Sequence, residues 1–486
     1  MNYRLIFNTL GRILKVESIL MILPLIATII YKENTYLSFI IPTAATMFIG
    51  CMLSLFKPKR KNLYAKEGFV LVGLSWIIIS LIGCLPFIIS GAIPSFIDAF
   101  FETVSGFTTT GASIVTDIDN WYVGRKSLLL WRSFTHWIGG MGVLVFILAI
   151  LPNSDGQNIF ILKAESTGPQ IGKLVSKLKS TARILYLIYL IMTIIEMVLL
   201  SFDMPIFDAI VHSLATAGTG GFGIKADSLG SYSLYSQLIV GLFMFLFGIN
   251  FNVFYLILIG KIKQVLKSEE VWWYIGITVI SVISIALNLY LTVENVYQNI
   301  TLALKDSFFQ VISIMTTTGF ATTDFATWPA FSQLVLFLLM FVGGCAGSTA
   351  GGIKVSRIAI LFKSLRREIK KLIHPNSVTN IRFEGNRLDE SVVKGVSNYF
   401  TLIMIIFTVG ILLISFNGFD FQTNITAMAS CINNIGPGLG SIIGPMGSYA
   451  EFNWFSKFIL TGAMLIGRLE IYPILILFNP KVWMNK

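Results

Sequence analysis

Long apolar runs separated by short polar connections fill the chain, and their lengths sort into two kinds. Segments of roughly 20 residues, enough to cross a bilayer, begin with a pair near 13–31 and 37–56. This pair forms a hairpin within 1–61 that ends at the basic run Lys57-Pro-Lys-Arg-Lys. Thereafter one pattern recurs four times: an outward span, a shorter amphipathic segment with a Gly/Thr-rich tail, and a returning span. The outward spans fall near 69–90, 183–202, 271–293 and 396–416, and the returning ones near 127–151, 235–260, 331–365 and 453–478. The repeats divide the chain into 62–152, 153–262, 263–372 and 373–486. The expected fold is an all-α polytopic membrane protein of about ten transmembrane helices. It comprises the N-terminal hairpin and four pseudo-symmetric helix, pore-helix, helix repeats around one pore.

The short segments carry the chemistry. They run from Phe96-Ile-Asp98 to Thr108-Thr-Thr-Gly111, from Phe207-Asp208 to Thr219-Gly220, from Asp306-Ser to Thr316-Thr-Thr-Gly319, and from Thr423-Asn-Ile to Asn433-Asn-Ile-Gly436. Asp98, Asp208 and Asp306 lie twelve or thirteen positions before Gly111, Gly220 and Gly319, where a carboxylate stabilises a helix start. Thr423 and Asn424 take that place in the fourth copy. A helix that stops part-way through a membrane leaves its last carbonyls unpaired, with roughly half a negative charge at that end. The backbone beyond it is tolerated only when buried in protein or lining a water-filled passage. Gly frees the backbone so that successive carbonyls can face one axis, and Thr adds a neutral oxygen. Four such strands make rings of oxygen able to replace the hydration shell of a large alkali cation. One isolated Thr-Thr-Thr-Gly reads as an ordinary extracellular turn; four copies after four short helices point to a pore. The loops themselves carry no acidic residue, which argues against a carboxylate ring for divalent ions.

Composition agrees: 55% hydrophobic residues, 13% charged and a mean hydropathy of +0.77 place the chain in a bilayer. The net charge of +11 need not imply nucleic acid, because the basic residues are clustered. They gather at Arg4–Lys15, Lys57–Lys66, 152–183, 261–267, 354–394 and the C-terminus, while the alternate side receives Lys32, Arg125, Lys126, Arg132, Lys225, Lys305 and Lys457. By the positive-inside rule the first set, with both termini, is cytoplasmic. The first apolar segment follows basic residues as a signal peptide would, but it lacks a small-residue cleavage site and is expected to stay as a helix. Cys51, Cys84, Cys345 and Cys431 sit singly in apolar sequence and suggest packing, not disulfides or a metal site.

Two further features stand out. Gly343-Gly-Cys-Ala-Gly-Ser-Thr-Ala-Gly-Gly352 interrupts the third returning span, and since each Gly costs up to ~1 kcal/mol relative to Ala in a helix, an intramembrane loop is expected. A glycine face for close helix packing is the alternative. Arg468 lies near mid-membrane in the last span, where an arginine costs about 2.5 to 3.5 kcal/mol. It should therefore face the bundle interior or an aqueous path.

These stretches, with His136-Trp-Ile-Gly-Gly-Met-Gly, Ala346-Gly-Ser-Thr-Ala-Gly-Gly-Ile-Lys and Gly467-Arg468-Leu-Glu470, resemble the Trk/Ktr/HKT superfamily over nearly the whole chain. Within it, the extra N-terminal hairpin resembles the TrkH family of bacterial Trk-type potassium-uptake membrane subunits. The resemblance implies a potassium filter at Thr109, Thr110, Gly111, Thr219, Gly220, Thr317, Thr318, Gly319, Asn434, Ile435 and Gly436. In the superfamily a glycine leading each loop goes with potassium, and serine at the first loop with sodium. The second loop departs from the usual Ser/Thr-rich tail, reading Gly-Gly-Phe-Gly-Ile-Lys225, with the lysine expected near the outer mouth. The resemblance also implies a gate below the filter at Gly343, Gly344, Gly347, Ser348, Thr349, Gly351 and Gly352, with Arg468 as a fixed positive charge there. A salt bridge with Glu470 or a snorkelling side chain is the plainer reading of Arg468. It further implies a homodimer in the bacterial cytoplasmic membrane on a cytosolic ring of TrkA-like nucleotide-binding regulatory subunits. The basic cytoplasmic loops, especially 354–371, offer docking surfaces for these, with topology and lipid contact as the alternative role. No cofactor is expected on this chain beyond the transported potassium.

Other signals carry less. Gly218-x-Gly220-x-x-Gly223 matches a dinucleotide fingerprint literally but no strand precedes it, and the 346–354 glycines lack the Gly-Lys-Ser/Thr of a phosphate loop. His136, His212 and His374 are dispersed and form no metal or catalytic set, with His212 a packing residue. A polytopic membrane enzyme would need a convergent nucleophile, acid/base pair or metal set, and none stands out. No isolated buried carboxylate marks an ion-coupling site, so channel-like passage and proton- or sodium-coupled symport both stay open, as does a sodium or mixed-cation pathway.

Overall fold

The computed structural model describes residues 1–58, 64–142, 178–293, 295–377 and 379–483. Residues 143–151 of the first returning span, the basic run at 59–61 and most of the basic stretch 152–183 lie outside them. Among the described residues the chain is helical apart from one two-residue hairpin, Arg382–Phe383 paired with Asn386–Arg387. Six helices are long and apolar enough to cross a membrane: Tyr3–Ile30, Tyr36–Ser54, Lys66–Ile89, Ala182–Leu200, Glu269–Thr292 and Glu390–Asn417. A seventh span is made by Leu234–Phe247 and Phe251–Leu258 if that pair, bent by 91°, is taken together. Four of these helices, Lys66–Ile89, Ala182–Leu200, Glu269–Thr292 and Glu390–Asn417, overlap the segments expected near 69–90, 183–202, 271–293 and 396–416. The first helix starts at Tyr3, earlier than expected, so Arg4, Arg12 and Lys15 ride on the helix and do not precede it.

Between the spans lie four short helices, Phe96–Phe107, Ile206–Gly218, Ile300–Met315 and Phe421–Asn433, of 12 to 16 residues. At 1.5 Å per residue they reach about 18 to 24 Å, short of the roughly 30 Å hydrocarbon core. Asp98 and Asp208 stand in their first turns. Two helix-start assignments need correction. Asp306 sits well inside Ile300–Met315, pairing with Lys305 at 3.5 Å. The fourth helix is capped by Asp420, whose carboxylate accepts from the Thr423 N–H at 3.4 Å, three residues before the expected Thr423. Lys457 donates to Asp98 at 2.6 Å, so the last returning span is tied to the start of the first short helix.

The returning spans are broken more widely than the glycine run predicts. The second stops at Phe247 and restarts after Asn250, whose side chain accepts from the Asn252 N–H at 2.9 Å. The third runs as Ala330–Met340 and then Val355–Ile373. The fourth ends at Arg468, and Glu470 and Ile471 take positive φ before a short helix from Tyr472. Each break leaves backbone groups unpaired within membrane depth, which only protein or water can satisfy. Cys84, Cys345 and Cys431 are buried as free thiols and Cys51 is exposed.

Candidate cation pathway

The four short helices end alike. Thr109, Thr219, Thr317 and Asn434 have φ of 55 to 56°, and the next residue donates back across the last turn: Thr110 to Ser105 O (2.9 Å), Gly220 to Ala215 O (2.9 Å), Thr318 to Ser313 O (2.9 Å) and Ile435 to Ser430 O (3.0 Å). This is a Schellman end, here with β-branched Thr at three of the four left-handed positions, where Gly is the usual occupant. A left-handed L-residue costs about 1–2 kcal/mol, and such strain concentrates at functional sites.

A glycine at positive φ follows two residues later in each loop: Gly111, Gly221, Gly319 and Gly436. Built outward, a Cβ on Gly111 would lie 2.0 Å from the Gly220 carbonyl oxygen, one on Gly221 2.0 Å from Thr318 O, one on Gly319 2.1 Å from Ile435 O, and one on Gly436 2.8 Å from Thr110 O. Each glycine therefore abuts the carbonyl just before the next loop's glycine, and the fourth returns to the first. A cavity of about 200 Å³ opens over Gly111, Gly221, Gly319 and Gly436, with Lys225 on its wall. Lys225 stands 3.8 Å over the Tyr232 ring and donates to Ser231 at 3.2 Å.

The second loop is thus in a different register from the one expected. Gly221, not Gly220, takes the place of Gly111 and Gly319, and Gly220 matches Thr110, Thr318 and Ile435. The sequence held two signals for this: Asp208 precedes Gly221 by thirteen positions, the spacing of Asp98–Gly111 and Asp306–Gly319, and Gly221-Phe222 repeats Gly319-Phe320. The literal fingerprint at 218–223 is the end of a helix and this loop. The other expected residues, Thr109, Thr110, Gly111, Thr219, Thr317, Thr318, Gly319, Asn434, Ile435 and Gly436, gather at the four loop ends, all buried except Gly111 and Gly319, which are half-buried.

Side chains behind the loops fix these carbonyls. Ser430 and Tyr449 hydroxyls donate to Gly436 O at 2.6 and 2.9 Å, and Ser313 donates to Phe320 O at 2.6 Å. Thr108–Thr110 and Thr316–Thr318 hydroxyls pair at 2.8 Å. The Asn434 amide donates to Thr110 Oγ1 at 2.9 Å. Glu102, buried on the first short helix, accepts from the Ile114 N–H at 2.9 Å and from Arg132 Nε at 2.7 Å. Arg132 lies 4.0 Å over the Phe222 ring, joining the first loop to the second. Breaking a buried pair like this costs about 3–5 kcal/mol. Glu102 and Arg132 were not legible as partners, because thirty positions separate them. His136, expected to belong to no metal or catalytic set, faces Gly106 O through Nδ1 at 2.8 Å and Phe222 at 4.2 Å between ring centroids. His212 packs 5.2 Å from Tyr232.

Across the loop ends from the cavity lies the segment 341–354. Gly351 N–H donates to Thr317 Oγ1 at 2.6 Å, so this segment touches one loop end directly. Its other bonds reach neighbours on several sides. Cys345 N–H donates to Gly248 O at 2.9 Å and Gly347 O accepts from Phe251 N–H at 3.0 Å. These partners belong to the break in the second returning span. Arg468 donates to Thr349 O at 2.9 Å, Gly139 O at 2.5 Å and Gly140 O at 2.6 Å. Thus the expected gate residues do form a loop, and Arg468 reaches the interior by carbonyl bonds. Glu470 accepts from Arg357 at 2.7 Å. Lys354 and Arg357 are buried, which removes them from the expected docking surface. Lys363, Arg366, Arg367, Lys370 and Lys371 remain on the following helix.

Sequence and structure comparisons show the family. The profile of the TrkH family, described as cation transport protein, matches residues 37–484. The chain belongs to the TrkH family. The Trk system potassium uptake protein TrkH of Salmonella typhimurium is 36% identical, covering 99% of this chain and 100% of that protein. The Escherichia coli K12 Trk system potassium uptake protein TrkG is 32% identical over 99% of this chain and 98% of its own length. The crystal structure of the potassium transporter TrkH from Vibrio parahaemolyticus superposes with a TM-score of 0.89 at 34% identity, covering both chains fully. The TrkH-family membership makes this chain a multi-pass membrane protein of a cation transport family.

Proposed function

We propose that this chain is the ion-translocating subunit of a Trk-type potassium uptake system in the bacterial cytoplasmic membrane. Ten spans are read as one hairpin and four pseudo-symmetric repeats around a single pore, with both termini cytoplasmic. Potassium passes through the ring of Thr110, Gly111, Gly220, Gly221, Thr318, Gly319 and Ile435 carbonyls, with Gly436 closing the fourth loop while its own carbonyl turns back to Ser430 and Tyr449, and the 343–352 loop with Arg468 is the barrier beneath. The observation that carries this reading is the closed cycle in which each loop glycine abuts the carbonyl of the next loop. Glycine at all four places, and relatives named for potassium uptake, favour potassium. No enzymatic role is proposed.

The same reading includes a homodimer and TrkA-like nucleotide-binding regulatory subunits. It is supported by helix Val355–Ile373, which exposes Phe362, Leu365, Ile369, Leu372 and Ile373 beside basic residues. This one-sided apolar stripe suits a partner helix. Tracer rubidium uptake into liposomes, competed by potassium, sodium and lithium, tests the filter. Potassium should compete far better than sodium, and Gly111→Ser should weaken that preference. Equal competition by sodium in the unaltered protein would make this a mixed-cation pathway.

A second reading, proton-coupled symport, is favoured by Glu196. This carboxylate is fully buried in helix Leu178–Leu200, beside Thr216 of the second short helix. An ionisable residue at such depth is a functional candidate by default.

A further inference from the structure

The loop beneath the candidate filter is held from one more direction, by a carboxylate that neither the sequence pattern nor the ion path accounts for. Glu270 stands in the first turn of helix Glu269–Thr292 and is 6% exposed. Its Oε1 accepts from the Ala346 N–H at 2.7 Å. Ala346 is inside the loop, so this one side chain grips the loop directly.

The start of the helix that carries Glu270 is held in turn. Its N-cap, Ser268, makes no side-chain cap of its own. The hairpin 382–387 supplies the cap: Glu384 Oε1 accepts from the Ser268 hydroxyl at 3.0 Å and from the Glu270 N–H at 2.9 Å. An anion at a helix N-terminus is favourable. Glu384 and Gly385 both have positive φ, the two-residue turn that keeps hairpin strands in register and brings the Glu384 carboxylate to that helix. The hairpin is itself anchored, with Phe383 buried beside Ala359, Ile360, Val393 and Val396. Lys363 on the exit helix pairs with Glu269 and donates to Arg382 O at 2.7 Å.

We propose that Glu270 is a positioning residue for the barrier loop, a clasp on Ala346 whose own placement is set by the Glu384 hairpin. The face carrying the basic clusters is then mechanically linked to the loop through two carboxylates, and a shift of the hairpin loosens the loop without touching the filter. This inference rests on reading the loop as a barrier, and the test separates the two.

Native Cys345, one residue before Ala346 and fully buried, reports loop opening directly. In a Cys51→Ser background the full-length protein would be treated with a small methanethiosulfonate reagent. Cys345 modification would be followed by mass spectrometry, alongside rubidium leak from liposomes. Glu270→Ala should speed Cys345 modification at least tenfold and raise leak severalfold, with Glu270→Gln and Glu384→Ala giving smaller increases in both. Faster modification with unchanged leak would support the clasp and overturn the barrier reading. Unchanged modification in Glu270→Ala, whatever the leak, would overturn the clasp. If that variant does not purify as a single species, Glu270→Gln decides on the same readout, since a charged acceptor bonds about twice as strongly as a neutral one.

Discussion

Gly220 and Gly221 are neighbours with different duties, and the difference is physical. A Cβ on Gly221 would strike the Thr318 carbonyl oxygen at 2.0 Å from a backbone at φ +74°, whereas one on Gly220 would strike the His136 ring at 2.2 Å. The first obstacle is backbone and cannot move; the second is a side chain and can be removed. Gly220→Ala should therefore lose at least tenfold in rubidium uptake and regain most of it in the Gly220→Ala/His136→Ala pair, measured against His136→Ala alone. Gly221→Ala should not be rescued. Equal rescue of both would show that the second loop keeps the other register. The sequence displays the four loops, and its Asp spacing and Gly-Phe repeat point to Gly221, but glycines at 218, 220 and 221 crowd the motif and only the backbone dihedrals separate Gly220 from Gly221. Asp306 and Thr423 misled for a similar reason: helix starts are read from caps, and the third helix simply begins a turn and a half earlier, at Ile300.

Element ends explain where the apolar pattern stopped being informative. Hydropathy gives the outward spans because an unbroken helix satisfies its own backbone. Returning spans break at Gly248–Asn250, 341–354 and after Arg468, and only the second of these breaks is glycine-rich enough to announce itself. The others depend on partners supplied by distant segments. Arg468 is the clearest case: its guanidinium joins Thr349 on the loop to Gly139 and Gly140 at the end of the first returning helix. Hydrogen bonds to charged groups contribute about 1.5–3 kcal/mol each, and each 1.36 kcal/mol is tenfold in a population. Removing the Thr349 contact alone should raise the open population roughly tenfold or more. Arg468→Ala should thus increase basal rubidium flux by that order, and deleting several residues within 346–351 should do so without further gain from Arg468→Ala. Unchanged flux in both variants would remove the loop from the ion path.

At the scale of the whole molecule the question is what drives the ion. A ring of backbone oxygens above a movable loop conducts down a gradient with no proton involved, so the loops alone call for channel-like passage. Glu196 and Glu17 complicate that account: both are buried in apolar helices, Glu196 beside Thr216 and Glu17 with neither carboxylate oxygen hydrogen-bonded among the described residues. The linear sequence shows a glutamate inside an apolar run, but not whether it faces protein, lipid or water, which is why neither was singled out from the pattern. Glu196 is the stronger candidate, since its helix packs on the second short helix, Ile206–Gly218, which ends at Thr219. Reversal potentials in proteoliposomes decide the matter. With potassium as the permeant ion the potential should move by about 59 mV per tenfold change in its gradient and stay fixed when a pH gradient is imposed. A displacement by the pH gradient that vanishes in Glu196→Gln, with potassium still transported, would replace passive flow by proton-coupled uptake and make that buried carboxylate the coupling site.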